Sequence, residues 1–283
     1  MLTRKEAFEL KLKANDIRKE TVKTIASIGV GHIGGSLSIA EVLAVLYFHE
    51  MNIDPKNPKW PDRDWLVVSK GHSGPAVYSA LALKGYFDKE MLYTLNKPNT
   101  KLPSHCDMRK TPGIDMTTGS LGQGASAAAG IAIGNKYDGR KNYTYLILGD
   151  GESQEGQVWE MAMFAAHHKL DNLIAFVDYN KLQIDGQTND VCSLGDIVAK
   201  FTSFGWDTVI VDGHSVEAIC EAIESAKIIN NKPHMIVLDT VKGKGISALE
   251  GKASCHNANI SAEQLEEYLK ELDEIEIAIK GGK

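Results

Sequence analysis

Residues 145–162 read YLILGDGESQEGQVWEMA. An apolar run, Tyr145 to Leu148, stops at Gly149-Asp150-Gly151, and two more carboxylates follow, Glu152 and Glu155. A short branched and aromatic run bounded by glycine and acid reads as a buried strand ending in a tight turn. A helix is expected behind it, starting near Gln154 and running through EGQVWEMAMFAAHH, with Met161, Met163 and Phe164 as core residues. NLIAFVDYN is a second strand, ending in Asp178 and Asn180; TVIVDG, SVEAICEAIESAKII and HMIVLDTV repeat the pattern. Strands that are apolar throughout and alternate with helices predict a parallel sheet covered on both faces. The predicted fold is therefore α/β, one doubly wound, mainly parallel domain over residues 1–283.

Outward from this centre, the elements are bounded by local signals. Thr3 with Glu6 spells a capping box, and Leu10, Ile17, Val22 and Ile25 continue at helical spacing to about Ser27. Ser38 and Glu41 spell a second cap before IAEVLAVLYFHE. DWLVVSK predicts a short strand, and GHSGPAVYSALALKGY a loop and helix. TTGSLGQGASAAAGIAIGNKYDG predicts a glycine loop and a small-residue helix ended by Gly139. From Ser261 onward a charged, exposed helix is expected.

Composition narrows the functional classes. The chain has 283 residues and a formal net charge of −6. A mildly acidic chain is not built as a general binder of nucleic acid or anionic membranes. No apolar stretch is long enough for a membrane span. The N-terminal residues are too charged for a signal peptide and too acidic for a transit peptide. Cys106, Cys192, Cys220 and Cys255 form no Cys-x-x-Cys pair, so neither a zinc cluster nor a disulfide framework is suggested. Such thiols fit a reducing, cytoplasmic setting.

The acidic turn carries the chemistry. Ligands of open parallel sheets sit at the carboxyl ends of the strands. Asp150 and Asn180 end two strands thirty positions apart, the length of one right-handed strand–helix–strand unit. A carboxylate and an amide oxygen would converge there, hard ligands suited to magnesium or calcium. The positions they leave open suit water and phosphate oxygens. Gly149 and Gly151 allow close backbone approach to a phosphate, and the following helix offers free N–H groups. Gly-Asp-Gly alone is a common surface turn; the second strand end is what turns the reading toward a site.

Gly-Asp-Gly followed by Asn about thirty residues later is the pattern of thiamine diphosphate enzymes. GHIGGSLS, SKGH, TGSLGQG, GDGESQEG and DYNKLQIDG stand in the order and spacing of the transketolase family. Over about Ala14 to Asn257 the chain resembles the N-terminal, diphosphate-binding half of a transketolase of the split type. The resemblance implies a thiamine diphosphate- and magnesium-dependent transfer of a two-carbon ketol unit from a ketose phosphate to an aldose phosphate. Calcium or manganese would be possible substitutes. It implies Asp150, Asn180 and the backbone carbonyl of Leu182 as metal ligands. Gly151, His72, Asn180 and His256 would face the diphosphate. Gly119, Ser120 and Leu121 would lie along the cofactor rings, and Glu155 near the subunit contact. His32, His105 and His256 would serve catalysis, since neutral imidazole both donates and accepts near pH 7. The family usually has Pro at the positions of Ile33 and Ser120 and Gly at that of Asn257. These departures bear on sugar specificity and leave the common chemistry.

His49, His167, His168, His214 and His234 match no motif and read as structural. Cys106 and Cys255 adjoin two of the matched histidines, but sequence adjacency does not make a nucleophilic dyad. The family's cofactor-activating glutamate lies in a pyrimidine-binding domain, which with the C-terminal domain is expected on a separate chain. The expected assembly is an α2β2 heterotetramer, acting in the pentose phosphate pathway or a dedicated catabolic route on an unusual sugar phosphate. The competing readings are a 2-oxoacid dehydrogenase alpha-type subunit, the front of a deoxyxylulose-phosphate synthase and a non-catalytic cofactor-binding module.

Overall fold

Helix α1 (Arg4–Ala26) begins as its sequence predicts: Thr3 Oγ1 accepts from the Glu6 N–H at 3.2 Å, and the Glu6 carboxylate accepts from the Thr3 N–H at 2.8 Å. The structure, a computed structural model, describes residues 2–229 and 231–282. Five strands form the main sheet: β1 (Trp65–Val68), β2 (Thr144–Gly149), β3 (Leu173–Tyr179), β4 (Asp207–Asp212) and β5 (His234–Asp239). Their spatial order is β1-β2-β3-β5-β4, and every pairing is parallel. The connections carry α3 (Gly74–Lys84) and α4 (Gln123–Tyr137) between β1 and β2, α5 (Gly156–His167) between β2 and β3, and α6 (Val216–Ile228) between β4 and β5.

The central strands are buried on both faces, which explains their continuous apolar spelling. Tyr145, Ile147, Ile174 and Phe176 point into a core shared with α1, α3, α6 and α2 (Ala40–Val45). Their alternate neighbours Leu146, Leu148, Ala175 and Val177 point into a second core with α4 and α5. Small residues let α4 lie close to the sheet: Ala125, Ala128, Ala129 and Ala132 are all buried. The doubly wound prediction is borne out.

Four local expectations are corrected. Ser38 and Glu41 do not cap α2, which starts at Ala40 with no side-chain cap. The Ser38 hydroxyl donates instead to Asp178, and Glu41 accepts two N–H groups of Arg18 at 2.7 Å each. Helix α5 starts at Gly156, after a 3-10 turn over Glu152–Gln154, rather than at Gln154. Met161 is core, but Met163 is 54% exposed and Phe164 40% exposed, on the outer side of α5. The last helix, α7 (Ala262–Lys280), is not free on all sides: Tyr268 and Leu272 are buried in a third core with Val22, Ile25 and Ile246.

Candidate active site

The sheet places its functional groups through register. Gly149 of β2 lies beside Asp178 of β3, so the two chains leave the sheet at the same edge. There Asp150 Oδ2 accepts from the Lys181 N–H at 2.5 Å and from the Thr188 hydroxyl at 3.3 Å, while Oδ1 accepts from the Gly151 N–H at 2.7 Å. The two strand ends predicted to meet are thus stitched together. Asn180 Oδ1 accepts from the Leu182 N–H at 3.1 Å, and the Leu182 carbonyl accepts from Lys242 Nζ at 3.0 Å. Burial, with the Asp178 carboxylate nearby, pushes the Asp150 carboxyl up to about 6.

Four histidines from four separate stretches converge above this edge. His32 lies 5.3 Å from His72, 5.7 Å from His105 and 5.4 Å from His256, ring centre to ring centre; His72 and His256 are 5.0 Å apart. Burial first, then the Lys70 ammonium, brings His72 down to about 2. Burial and Lys242 bring His256 down to about 4, and burial with His105 and Lys242 lowers His32. These three rings are neutral at pH 7, able to donate at one nitrogen and accept at the other.

The TGSLGQG loop closes one side. Gly119 has φ +148°, and a Cβ there would meet His105 Cδ2 at 3.0 Å, so glycine is what lets the loop pass under that ring. Ser120 and Leu121 follow at the surface, and Leu121, Glu155 and Ile184 line the open rim. All the predicted site residues except Ser120 line one cavity of about 350 Å³, the size of a small-ligand pocket. Ser120 is exposed beside it.

The two acids after the turn have separate roles. Glu155 is exposed. Glu152 is buried and accepts from the Ser69 hydroxyl at 2.5 Å, the Gly122 N–H at 2.9 Å and the Gly149 N–H at 3.0 Å. It lashes the end of β1 and the glycine loop to the acidic turn. Sequence reasoning missed the part played by Glu152, and also by Lys70, Asp178 and Lys242, which surround the site. The first three stood inside quoted motifs, but their partners lie far away in sequence. Lys242 carried no local signal. Cys106 and Cys255 are buried with thiols pushed up by burial, Cys106 to about 12, so neither is an activated nucleophile.

Residues 10–273 match the family described as "Transketolase, thiamine diphosphate binding domain". The chain belongs to the transketolase family. It is 56% identical over 268 residues to the 6-deoxy-6-sulfo-D-fructose transketolase subunit SqwG of Clostridium sp. (strain MSTE9), covering 95% of this chain and 98% of that one. It is 41% identical to an apulose-4-phosphate transketolase subunit of Phocaeicola vulgatus, covering 95% of each. The solved transketolase of Campylobacter jejuni superposes with a TM-score of 0.87 at 30% identity, over 95% of this chain. This transketolase chain spans 45% of that longer one.

The residues present fit the group that the family's domain binds. Asp150, Asn180 and the Leu182 carbonyl offer three oxygen donors of different charge, the hard set that magnesium takes, with room for phosphate oxygens. Lys242 Nζ donates to the Leu182 carbonyl at 3.0 Å. Among the described residues, no helix is long and apolar enough to cross a membrane.

Proposed function

We propose that this chain is the cofactor-binding subunit of a two-chain transketolase whose ketose donor is 6-deoxy-6-sulfo-D-fructose. One observation carries the reading: the metal-type oxygen set and four clustered histidines share one cavity at the strand ends. The donor is suggested by the 56% identity to a relative named for that sugar, against 41% to one named for apulose 4-phosphate. The ordinary pentose phosphate donors are the alternative.

Bound thiamine diphosphate supplies the carbanion and electron sink for breaking a carbon–carbon bond beside a ketone. This chain's residues hold and orient. Asp150, Asn180 and the Leu182 carbonyl would hold magnesium, and the Gly151 backbone would meet the diphosphate. His72, kept neutral, would donate a hydrogen bond to a diphosphate oxygen. His32, His105 and His256 face the same space from the open side. A neutral ring nitrogen there accepts the proton from the hydroxyl on the carbon beside the breaking bond and returns it to the acceptor aldehyde oxygen. The sugar's distal anion needs a cationic site, and Lys70 and Lys242 are already engaged deep in the cavity. That site, and the acid that activates the cofactor, would come from the partner subunit, with the active site between the two chains in an α2β2 assembly in the cytoplasm.

Ketol transfer should be measured with thiamine diphosphate and magnesium, with the partner subunit present or left out. Turnover is expected only with the partner, and faster with 6-deoxy-6-sulfo-D-fructose than with fructose 6-phosphate. Robust turnover by this chain alone would end the two-chain reading, and a preference for the phosphate would end the donor assignment. Asp150→Ala should abolish magnesium-dependent cofactor binding by the complex, read by calorimetry; tight binding retained would mean the metal lies elsewhere.

A further inference from the structure

Three motifs leave residues that the proposed chemistry does not use: Ser38 of GHIGGSLS, Lys70 of SKGH and Asp178 of DYN. The fold brings all three to one point. Asp178 is fully enclosed. Its Oδ2 accepts from the Ser38 hydroxyl at 2.6 Å, Lys70 Nζ at 2.7 Å and Asn180 Nδ2 at 2.8 Å; its Oδ1 accepts from the Thr240 hydroxyl at 2.5 Å. Lys70 Nζ also donates to the Gly35 carbonyl at 2.6 Å, as does the Ser73 hydroxyl at 2.9 Å.

The consequence falls on Asn180. An asparagine amide has an oxygen face and an NH2 face of nearly equal size, and only hydrogen bonds decide which points where. All four groups around the Asp178 carboxylate donate to it, Asn180 Nδ2 among them. Asp178 thus takes the NH2 group, while Asn180 Oδ1, turned the other way, accepts from the Leu182 N–H. We propose that Asp178 is a positioning residue, anchored by Lys70 and Ser38, which sets the amide of Asn180 so that its oxygen is offered to the metal. This rests on the reading of Asn180 as a metal ligand given above. Groups behind a ligand that fix its orientation commonly matter ~10- to 100-fold in metal affinity. The same carboxylate ties the segment after His32 to the metal edge, directly through Ser38 and through Lys70, which bonds the Gly35 carbonyl.

The readout is the magnesium concentration that half-saturates thiamine diphosphate binding, followed by tryptophan fluorescence on the full chain reconstituted with its partner. Asp178→Asn should raise that concentration ~10- to 100-fold. Thr240→Val removes a hydrogen bond to the same carboxylate that does not touch Asn180, and should lower the melting temperature while leaving the magnesium requirement unchanged. Equal shifts in the two variants, or none in Asp178→Asn, would overturn the proposal. The exchanged pair Asp178→Asn/Asn180→Asp keeps one carboxylate and one amide beside Lys70, and its new carboxylate presents an oxygen in either orientation. It should need far less magnesium than Asn180→Ala; an equal requirement overturns the proposal even if Asp178→Asn does not fold. If Asn180→Ala itself leaves the requirement unchanged, the metal-site reading has failed instead.

Discussion

His72 illustrates what one enclosed side chain does to a protein's response to acid. Its ring is held neutral down to about pH 2 by burial and by Lys70, whereas in the unfolded chain it would bind a proton near pH 6.5. Below pH 6.5 the unfolded state therefore carries more protons, and the unfolding free energy falls as pH falls. His72→Gln removes that term. Urea unfolding of the cofactor-free chain at pH 7.5 and 5.5 should show the unsubstituted protein losing about 1 kcal/mol more than the variant over that interval. Identical losses would mean that the ring gains its proton in the folded state too. The histidine motifs were visible in sequence because they are spelled locally. The neutrality of His32, His72 and His256 was not, because it comes from burial where distant stretches crowd together.

Between elements, the same spelling gave opposite outcomes. Thr3-x-x-Glu6 caps α1, but Ser38-x-x-Glu41 caps nothing, because both of its side chains are engaged in tertiary contacts. Arg18 of α1 grips Glu41 of α2 through two hydrogen bonds and also reaches the Leu37 carbonyl at 3.2 Å, and both side chains of the pair are buried. His214 Nδ1 stands 3.1 Å from the same carboxylate. Removing one partner leaves a buried charge without its counterpart, so Arg18→Ala should cost about 3–5 kcal/mol in denaturant unfolding. Lys11→Ala, at an exposed pair with Glu217, should cost less than about 1 kcal/mol. A similar loss in both would mean that the burial of the first pair does not matter. Met163 and Phe164 mark another limit of periodicity. Apolar spelling on a helix says that a face is apolar and does not say what covers it.

At the scale of the whole molecule, the fold was legible because the central strands are apolar on both faces and helices lie between them. The sheet order was less so, since β5 enters between β3 and β4 and no residue announces that insertion. The candidate site was legible in its first layer: Asp150 and Asn180 meet as their spacing implied, and the four histidines cluster as the family resemblance implied. The layer behind it, Glu152, Asp178 and Lys70, was not, because most of its bonds cross thirty or more positions or reach backbone groups that carry no side-chain signature. The rim residues Leu121 and Ile184 remain exposed at the mouth of the cavity, where the proposed partner would complete it.

The packing of α7 on α1 also has a bearing on how the chain is made. Asn15 Nδ2 donates to the Leu272 carbonyl at 2.8 Å, and Lys19 pairs with Asp273 and Glu276. A ribosome releases α1 more than two hundred residues before α7. During that interval Val22 and Ile25 have no terminal helix to cover them, and β3 is made well before β5, the partner it pairs with. Nascent chains of this protein thus carry open apolar surface until α7 has been made. Parallel sheets with such distant pairings also fold slowly. Yield in a foreign host would accordingly respond more to growth temperature and chaperone supply than to any change in the catalytic pocket.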